Sequence, residues 1–356
     1  MFSWFSGRQK LVGLDIGSSS IKAVHLERSG DTHRLVELGI VPIHPETIVD
    51  GMIMDAATVS HAIGQLFKEN TIAIKEVAVS ISGHSVIVKK IKVPRMNKAE
   101  LREGIAWEAE QYIPYSIEDV NLDFQILGEA GSGQGEMDVL LVAAKKDTVN
   151  DYLAVVSVAG LHAAVVDVAA FALENAFAIS EKVKPDEMVA LVNIGAAVTN
   201  ISVLRGGVSE FTRDSALAGN RHTESLQKSL GLSYDQAEAL KKGELVEGHT
   251  FAEARPVIDT CNGELASEIR RSFEFYRSTA QGDAINRVVL SGGCALLPNL
   301  SSSLSKALEL PVEIANPFRE ITADPKKFDP EYLAFIAPQM AVAVGLALRE
   351  SGDDET

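Results

Sequence analysis

A short apolar run, Leu11, Val12, Gly13 and Leu14, ends at Asp15, meets a small polar turn from Ile16 to Ser20, and resumes through Ile21, Ala23, Val24 and Leu26. Runs of this length bounded by Gly and Ser predict two strands joined as a hairpin. The plan returns at Val189, with an apolar run through Val192, the turn sequence Asn193-Ile194-Gly195-Ala196-Ala197, and a second run from Val198 to Leu204. Half the chain separates Asn193 from Asp15. Two halves that each open with strand, glycine turn and strand predict a duplicated domain with a ligand cleft between the copies.

Within the first half, a strand over 86–93 stops at Pro94, and Asn97 with Glu100 makes a capping box that opens a helix to about Ile113, stopped by Pro114. Strands over 122–127 and 139–143 follow, separated by a Gly-rich loop over 128–135. The block 85–165 has no counterpart in the second half and reads as an inserted small domain. In the second half Ser233 and Gln236 cap a short helix ending at Gly243, and a helix over 263–280 places Leu265, Ile269, Phe273 and Tyr276 on one face. A strand over 286–290 then meets Ser291-Gly292-Gly293-Cys294.

Charge and cysteine usage narrow the function. The chain carries 33 Lys and Arg against 49 Asp and Glu, a net charge of −16 that opposes broad attraction to nucleic acid. Two distant cysteines give neither a disulfide scaffold nor a CxxC motif, which fits a reducing cytosol. The stretch 153–173 is apolar enough to suggest a membrane span, but His162 and Asp167 oppose that, and Gly160 divides it into helix, strand and helix. Phe2, Trp4 and Phe5 with Arg8 and Lys10 read as a disordered arm rather than a membrane anchor, and the acidic end from Ser351 to Thr356 as frayed.

The turns can carry chemistry. Gly17, Ser18, Ser19 and Ser20 offer backbone N–H groups and hydroxyls to phosphate oxygens, Lys22 adds a cation, and Asp15 can hold Mg²⁺ through water. A polar hairpin turn is the plain alternative for each copy alone; the pairing favours a grip on one polyphosphate from two sides. No P-loop occurs, and no helix follows the glycines as a dinucleotide fingerprint requires. Gly292 and Gly293 leave room for a base or ribose, and Glu238 and Lys241 share a helix face that either contacts the ribose or base or forms a surface ion pair.

In this order the elements resemble the actin, Hsp70 and sugar-kinase superfamily. The closer resemblance, along nearly the whole chain, is to the family of the type IV pilus assembly protein PilM, related to the cell-division protein FtsA. It is carried by LVGLDIGSSSIK at 11–22, EAEQYIPY at 108–115, DVLLVAAKK at 138–146, GLHAAVVDV at 160–168, the run from 218 to 243 ending AEALKKG, VVLSGGCALLPNL at 288–300 and VAVGLALR at 342–349. The resemblance implies an α/β, actin-like duplicated domain with a central nucleotide cleft and an FtsA-type inserted subdomain. It places core subdomain 1A at 1–84 and 166–188, the insertion 1C at 85–165, 2A at 189–225 and 266–334, 2B at 226–265, and a connecting helix and tail at 335–356. It further implies a cytoplasmic scaffold at the inner face of the inner membrane, peripheral to it, that binds ATP with Mg²⁺ and an N-terminal peptide of PilN.

Carried over by position, Asp15, Gly17, Ser18, Ser19, Ser20 and Lys22 belong to the nucleotide site, faced by Gly195, Ala196, Thr199 and Asn200. Gly219, Asn220, Glu238 and Lys241 meet the ribose or base, and Gly292, Gly293 and Cys294 back the adenosine. The PilN peptide is expected between core and insertion, near Tyr112, Ile113, Pro114 and Tyr115, where each tyrosine can equally be core. Strands 86–93 and 122–127 are candidate edges for it. Asn193 and Ala169 stand where relatives often carry acids, so weak hydrolysis at most is expected, and Ala218 replaces the first glycine of a connecting pair, a departure that touches the local turn and not the site. An active ATPase or small-molecule kinase on the same fold is the alternative. Trp107 reads as core or groove wall, and His25, His61, His84 and His162 lack metal-ligand spacing.

Overall fold

A computed structural model describes residues 10–30, 32–129, 135–280 and 283–350. The aromatic arm before Lys10, the tip of the Gly-rich loop and the acidic end lie outside the described residues. Lys10 itself is tied down, pairing with Glu27 at 2.6 Å.

The first half begins with β1 (Val12–Ile16), β2 (Ser20–Ser29) and β3 (Thr32–Pro42), an antiparallel ladder. Two-residue strands β4 (Ile48–Val49) and β5 (Met52–Ile53) and helix α1 (Ala56–Glu69) lead to β6 (Glu76–Ile81), which lies parallel to β1. The insertion follows as β7 (Val86–Pro94), α2 (Lys98–Ala109), β8 (Val120–Glu129) and β9 (Glu136–Lys145), a sheet of order β7-β9-β8. Its own core joins Leu101, Ile105 and Ala109 of α2 to Ile91, Val93, Val139 and Leu141. The capping box at Asn97 and Glu100 is formed, but α2 ends at Ala109, four residues before the expected stop. Pro114 disfavours helix at the residue before it, and Tyr112 and Ile113 instead turn back on the Ala109 carbonyl. Helix α3 (Lys146–Val158), β10 (His162–Val168) and α4 (Ala169–Ser180) then bring the chain back, with β10 parallel to β6. The stretch that resembled a membrane span is thus divided among three core elements.

The second half repeats the plan. Strands β11 (Met188–Ile194), β12 (Thr199–Arg205) and β13 (Val208–Ser215) form the ladder. Helices α5 (Asn220–Leu230), α6 (Tyr234–Lys241) and α7 (Phe251–Ala280) precede β14 (Arg287–Ser291), parallel to β11. Helix α8 (Leu300–Leu308) and β15 (Val312–Ile314) complete a sheet of order β13-β12-β11-β14-β15. Helix α7 starts twelve residues before Gly263, which it carries as an interior residue. The expected face holds, since Leu265, Ile269, Phe273 and Tyr276 are all buried, each contributing about 1.5–3 kcal/mol.

The chain returns to the first sheet earlier than residue 335. Strand β16 (Ile321–Thr322) pairs with β3, and α9 (Pro330–Ile336) packs beside it through Leu333 and Ile336. Helix α10 (Ala341–Ala347) then crosses α4 so closely that a Cβ on Gly345 would lie 1.6 Å from the Ala172 carbonyl. Among the described residues one helical stretch, Pro330–Ala347, is long and apolar enough to cross a membrane, and 67% of it is buried within the protein. Its apolar residues serve the core.

Candidate functional site

The two hairpins set the geometry. In the first, the Gly17 N–H donates to the Ser20 carbonyl at 3.2 Å, and Asp15 faces Lys22 across the ladder with Lys22 Nζ 2.9 Å from Asp15 Oδ2. In the second, the Gly195 N–H donates to the Val198 carbonyl at 2.9 Å, and Asn193 faces Asn200 with Asn193 Nδ2 donating to Asn200 Oδ1 at 2.9 Å. Backbone and spacing repeat; charge does not.

Around the second hairpin the chain knits itself to Gly195. The Gly219 N–H donates to the Gly195 carbonyl at 3.0 Å, the Asn220 N–H to the Ala196 carbonyl at 2.7 Å, and the Cys294 thiol lies 3.3 Å from the Gly195 carbonyl. Burial pushes that thiol up, so it stays a neutral donor. At the third turn Gly292 has φ 87°, and a Cβ there would sit 2.3 Å from the Ile194 carbonyl, so only glycine lets the strand end pass the hairpin. On α6, Glu238 and Lys241 form a buried ion pair joined by the Thr223 hydroxyl, with Lys241 only 4% exposed. Burial raises the Glu238 carboxyl, but Lys241 and Thr223 outweigh it and hold it below the usual range. This is no surface pair.

These elements enclose a cavity of about 640 Å³ between the halves, within the range of small-molecule sites. Its wall includes Asp15, Gly17, Ser18, Ser19, Ser20 and Lys22 from the first hairpin, and Asn193, Gly195, Ala196 and Asn200 from the second. Glu238, Lys241, Gly292, Gly293, Cys294 and Ala169 complete the expected set that it brings together. Three expected residues are not on the wall. Thr199 is fully buried and donates to the Leu217 carbonyl at 2.8 Å, while Gly219 and Asn220 donate their N–H groups to the carbonyls of the second hairpin. The sequence reading missed Ser80, Ser82, Tyr152, Tyr234, Phe335 and Gln339, all on the wall. Tyr152 shares a helix with buried Val155 and Val156, a pattern that reads as core, and its hydroxyl donates to the Gly51 carbonyl at 3.2 Å.

Among the described residues no three His, Cys, Asp or Glu side chains are clustered to hold a metal. A divalent cation bound in the cavity would have to draw most of its ligands from phosphate oxygens and water, as Mg²⁺ commonly does. The backbone amides at the turns, the Lys22 ammonium and the space above Gly292 fit a nucleotide's phosphates and adenosine.

At the insertion corner, Ile113 is buried in the subdomain's core, whereas Tyr112 and Tyr115 pack partly exposed at its edge. Lys145 Nζ lies 4.1 Å from the Tyr115 ring centre, and Tyr115 donates its hydroxyl to the His84 carbonyl at 3.1 Å. Pro114 is exposed, and β7 and β8 are the outer strands of their sheet. Trp107, at 78% exposure, is not part of that core.

Two repeated ladders flanking one cleft, with α4 and α10 crossing between them, define the actin-like fold. The MreB5 protein of Spiroplasma citri, solved with ADP, shares it at TM-score 0.50 and 14% identity over 95% of this chain and 94% of that one. The chain belongs to the type IV pilus assembly protein PilM family, whose model matches residues 13–351. A solved structure of the PilM-PilN type IV pilus biogenesis complex matches at TM-score 0.86 and 33% identity, covering 96% of this chain and 99% of that one. The cell division protein FtsA of Bacillus subtilis (strain 168) is 24% identical over 380 residues, 94% of this chain and 82% of that protein.

Proposed function

We propose that the chain is an ATP-binding scaffold of a type IV pilus assembly platform, acting at the cytoplasmic face of the inner membrane and binding the N-terminal peptide of PilN. The observation that carries the nucleotide reading is the pair of hairpins facing one cavity from two repeated halves. The Gly17 and Gly195 N–H groups close their own hairpins. Ser18, Ser19 and Ala196 donate backbone N–H groups to the phosphates, and Lys22 turns from Asp15 toward the added negative charge. Asp15 would hold Mg²⁺ through water, and that ion would screen the phosphate charge, while Gly292 and Gly293 leave room for the adenosine. The carboxylates on the cavity wall are Asp15, Glu238 and Glu244, and the first two are ion-paired. With Asn193 and Ala169 uncharged, neither of these two positions can take a proton from an attacking water, which supports slow turnover.

The peptide reading draws on the family and on the PilM-PilN complex. A chain of net charge −16 suits a basic tail, and an outer strand of the insertion can accept an extended segment beside Tyr115. Calorimetric titration tests both parts. ATP with Mg²⁺ and a synthetic PilN N-terminal peptide each bind saturably if the reading holds; no ATP affinity above the millimolar range removes the first part, and equal peptide binding by Tyr115→Ala moves the second elsewhere.

A further inference from the structure

Helix α4 leaves the first sheet and is seated on the second. Its Ala172 meets Gly345 of α10, while Leu173 and Phe177 pack with Val189, Leu191 and Leu204 of the second ladder. Between those two apolar residues comes Glu174, the only ionisable side chain on α4. Its Oε1 accepts the Ser209 hydroxyl of β13 at 2.9 Å, and the fully buried Ser202 of β12 flanks the same carboxyl. Among the described residues no Lys, Arg or His pairs with it. The charged groups around it are committed elsewhere. Asp167 of β10, the like charge that acts on Glu174, lies 3.1 Å from Arg349 beyond α10. On β12 and β13, Arg205, Glu210 and Arg213 bond to Asp283, Tyr276 and Glu268, and Asp214 accepts from Asn200 and Gly83. Helix α10 and β11 carry no ionisable side chain, and Glu76 of β6 pairs with His162 at the start of β10.

We propose that Glu174 is a proton-operated latch: with its proton on it fastens α4 to the second ladder, and with its proton off it slackens that joint between the halves. Protonated, the carboxyl donates to one serine and accepts from the other, so both hydroxyls and the acid are satisfied. Ionised, it gives up water, gains no cation and faces Asp167. The contrast is with Glu238, whose buried charge is matched by Lys241. Withdrawal from water pushes the seated Glu174 carboxyl from 4.5 up to about 7, against the serine hydroxyls, which lower it. The seat therefore binds a proton that the hydrated, unseated carboxyl releases. Fastening is full below about 4.5 and is lost as pH rises through about 7. The latch needs no ligand in the cleft, so it stands apart from the nucleotide reading.

Amide hydrogen exchange on the full chain at pH 6 and pH 8, each corrected for the intrinsic exchange rate at that pH, tests the latch. Between those values a carboxyl moving between 4.5 and about 7 changes the seating equilibrium about tenfold. Opening in 170–178 and 199–212 should therefore rise about tenfold at pH 8, while the insertion core over 91–109 keeps its rate. Glu174→Gln holds a neutral side chain at both values and should exchange slowly at both. Ser209→Ala removes the donor to the ionised form and leaves the carboxyl, so it should move the midpoint of the response to higher pH; it keeps the test alive if the first variant folds poorly. A pH response in Glu174→Gln as large as in the parent overturns the latch, as does a parent with no response in 170–178. A midpoint unmoved in Ser209→Ala overturns it equally. An equal rise across 91–109 would mark loss of global stability and contradict a local joint.

Discussion

Asp15 and Lys22 face each other on the first hairpin, and Asn193 and Asn200 hold the same places on the second. Both pairs close at 2.9 Å. The first is an ion pair of a partly exposed carboxylate and a nearly buried ammonium, so it stores a cation that an incoming phosphate can claim. The second is a neutral amide pair, anchored by Asp214 on one side and Ser291 on the other, with no charge to offer. Duplication preserved the backbone that presents N–H groups, while side-chain chemistry divided the work. One hairpin supplies charge; the other supplies shape and connection to the rest of the molecule. On the proposed function, a cleft built this way holds a polyphosphate rather than cleaving it.

Breaking the second hairpin's support should produce the largest effect. Gly292→Ala forces a Cβ against the Ile194 carbonyl at a positive φ, and a loss of about 3 kcal/mol in denaturant-unfolding stability is expected. The matching change on the first hairpin, Lys22→Ala, should weaken ATP binding by about 1–3 kcal/mol in calorimetry with little effect on the second hairpin's packing.

A third test uses the carboxylate that meets the second ladder from the first half. Glu174 of α4 accepts the Ser209 hydroxyl of β13 at 2.9 Å, and burial pushes its carboxyl from 4.5 up to about 7. Because the folded state favours the protonated form, its contribution is full below about 4.5 and is lost as pH rises through about 7. Glu174→Gln should therefore stabilise the protein by about 1–2 kcal/mol at pH 8 and leave it unchanged at pH 4. The smallest change sought is in turnover. Asn193→Asp, alone or with Ala169→Glu, restores carboxylates near the phosphates and should raise ATP hydrolysis about tenfold with binding retained, roughly 1.4 kcal/mol in the barrier. A double variant that binds ATP and hydrolyses it no faster would show that these two residues do not limit turnover.

The hairpins were legible because a glycine turn between apolar runs is a local pattern, and the repeat doubled it. The capping boxes at Asn97 and Ser233 and the buried face of α7 were local in the same sense. What escaped depends on long-range approach. Tyr152, Phe335 and Gln339 reach the cavity only because α3, α9 and the segment after it pack against the first sheet, and nothing in their immediate neighbours marks them. Thr199, Gly219 and Asn220 carry the right residue types at the right spacing, yet the Thr199 hydroxyl is bonded to the Leu217 carbonyl and the Gly219 and Asn220 N–H groups to the second hairpin. Sequence order named the turn; three-dimensional packing decided which atoms face the cleft. The early return of β16 to β3 was hidden because a two-residue strand has no periodicity to read.

The most direct measurement is a crystal structure of the full chain with a non-hydrolysable ATP analogue and Mg²⁺. Phosphate oxygens should lie within hydrogen-bond reach of N–H groups from both Ser18 and Ser19 of the first hairpin and Ala196 of the second, with Lys22 Nζ moved from Asp15 toward them and the adenosine over Gly292 and Gly293. A nucleotide anchored to one hairpin alone, or bound outside the cleft, would contradict the account.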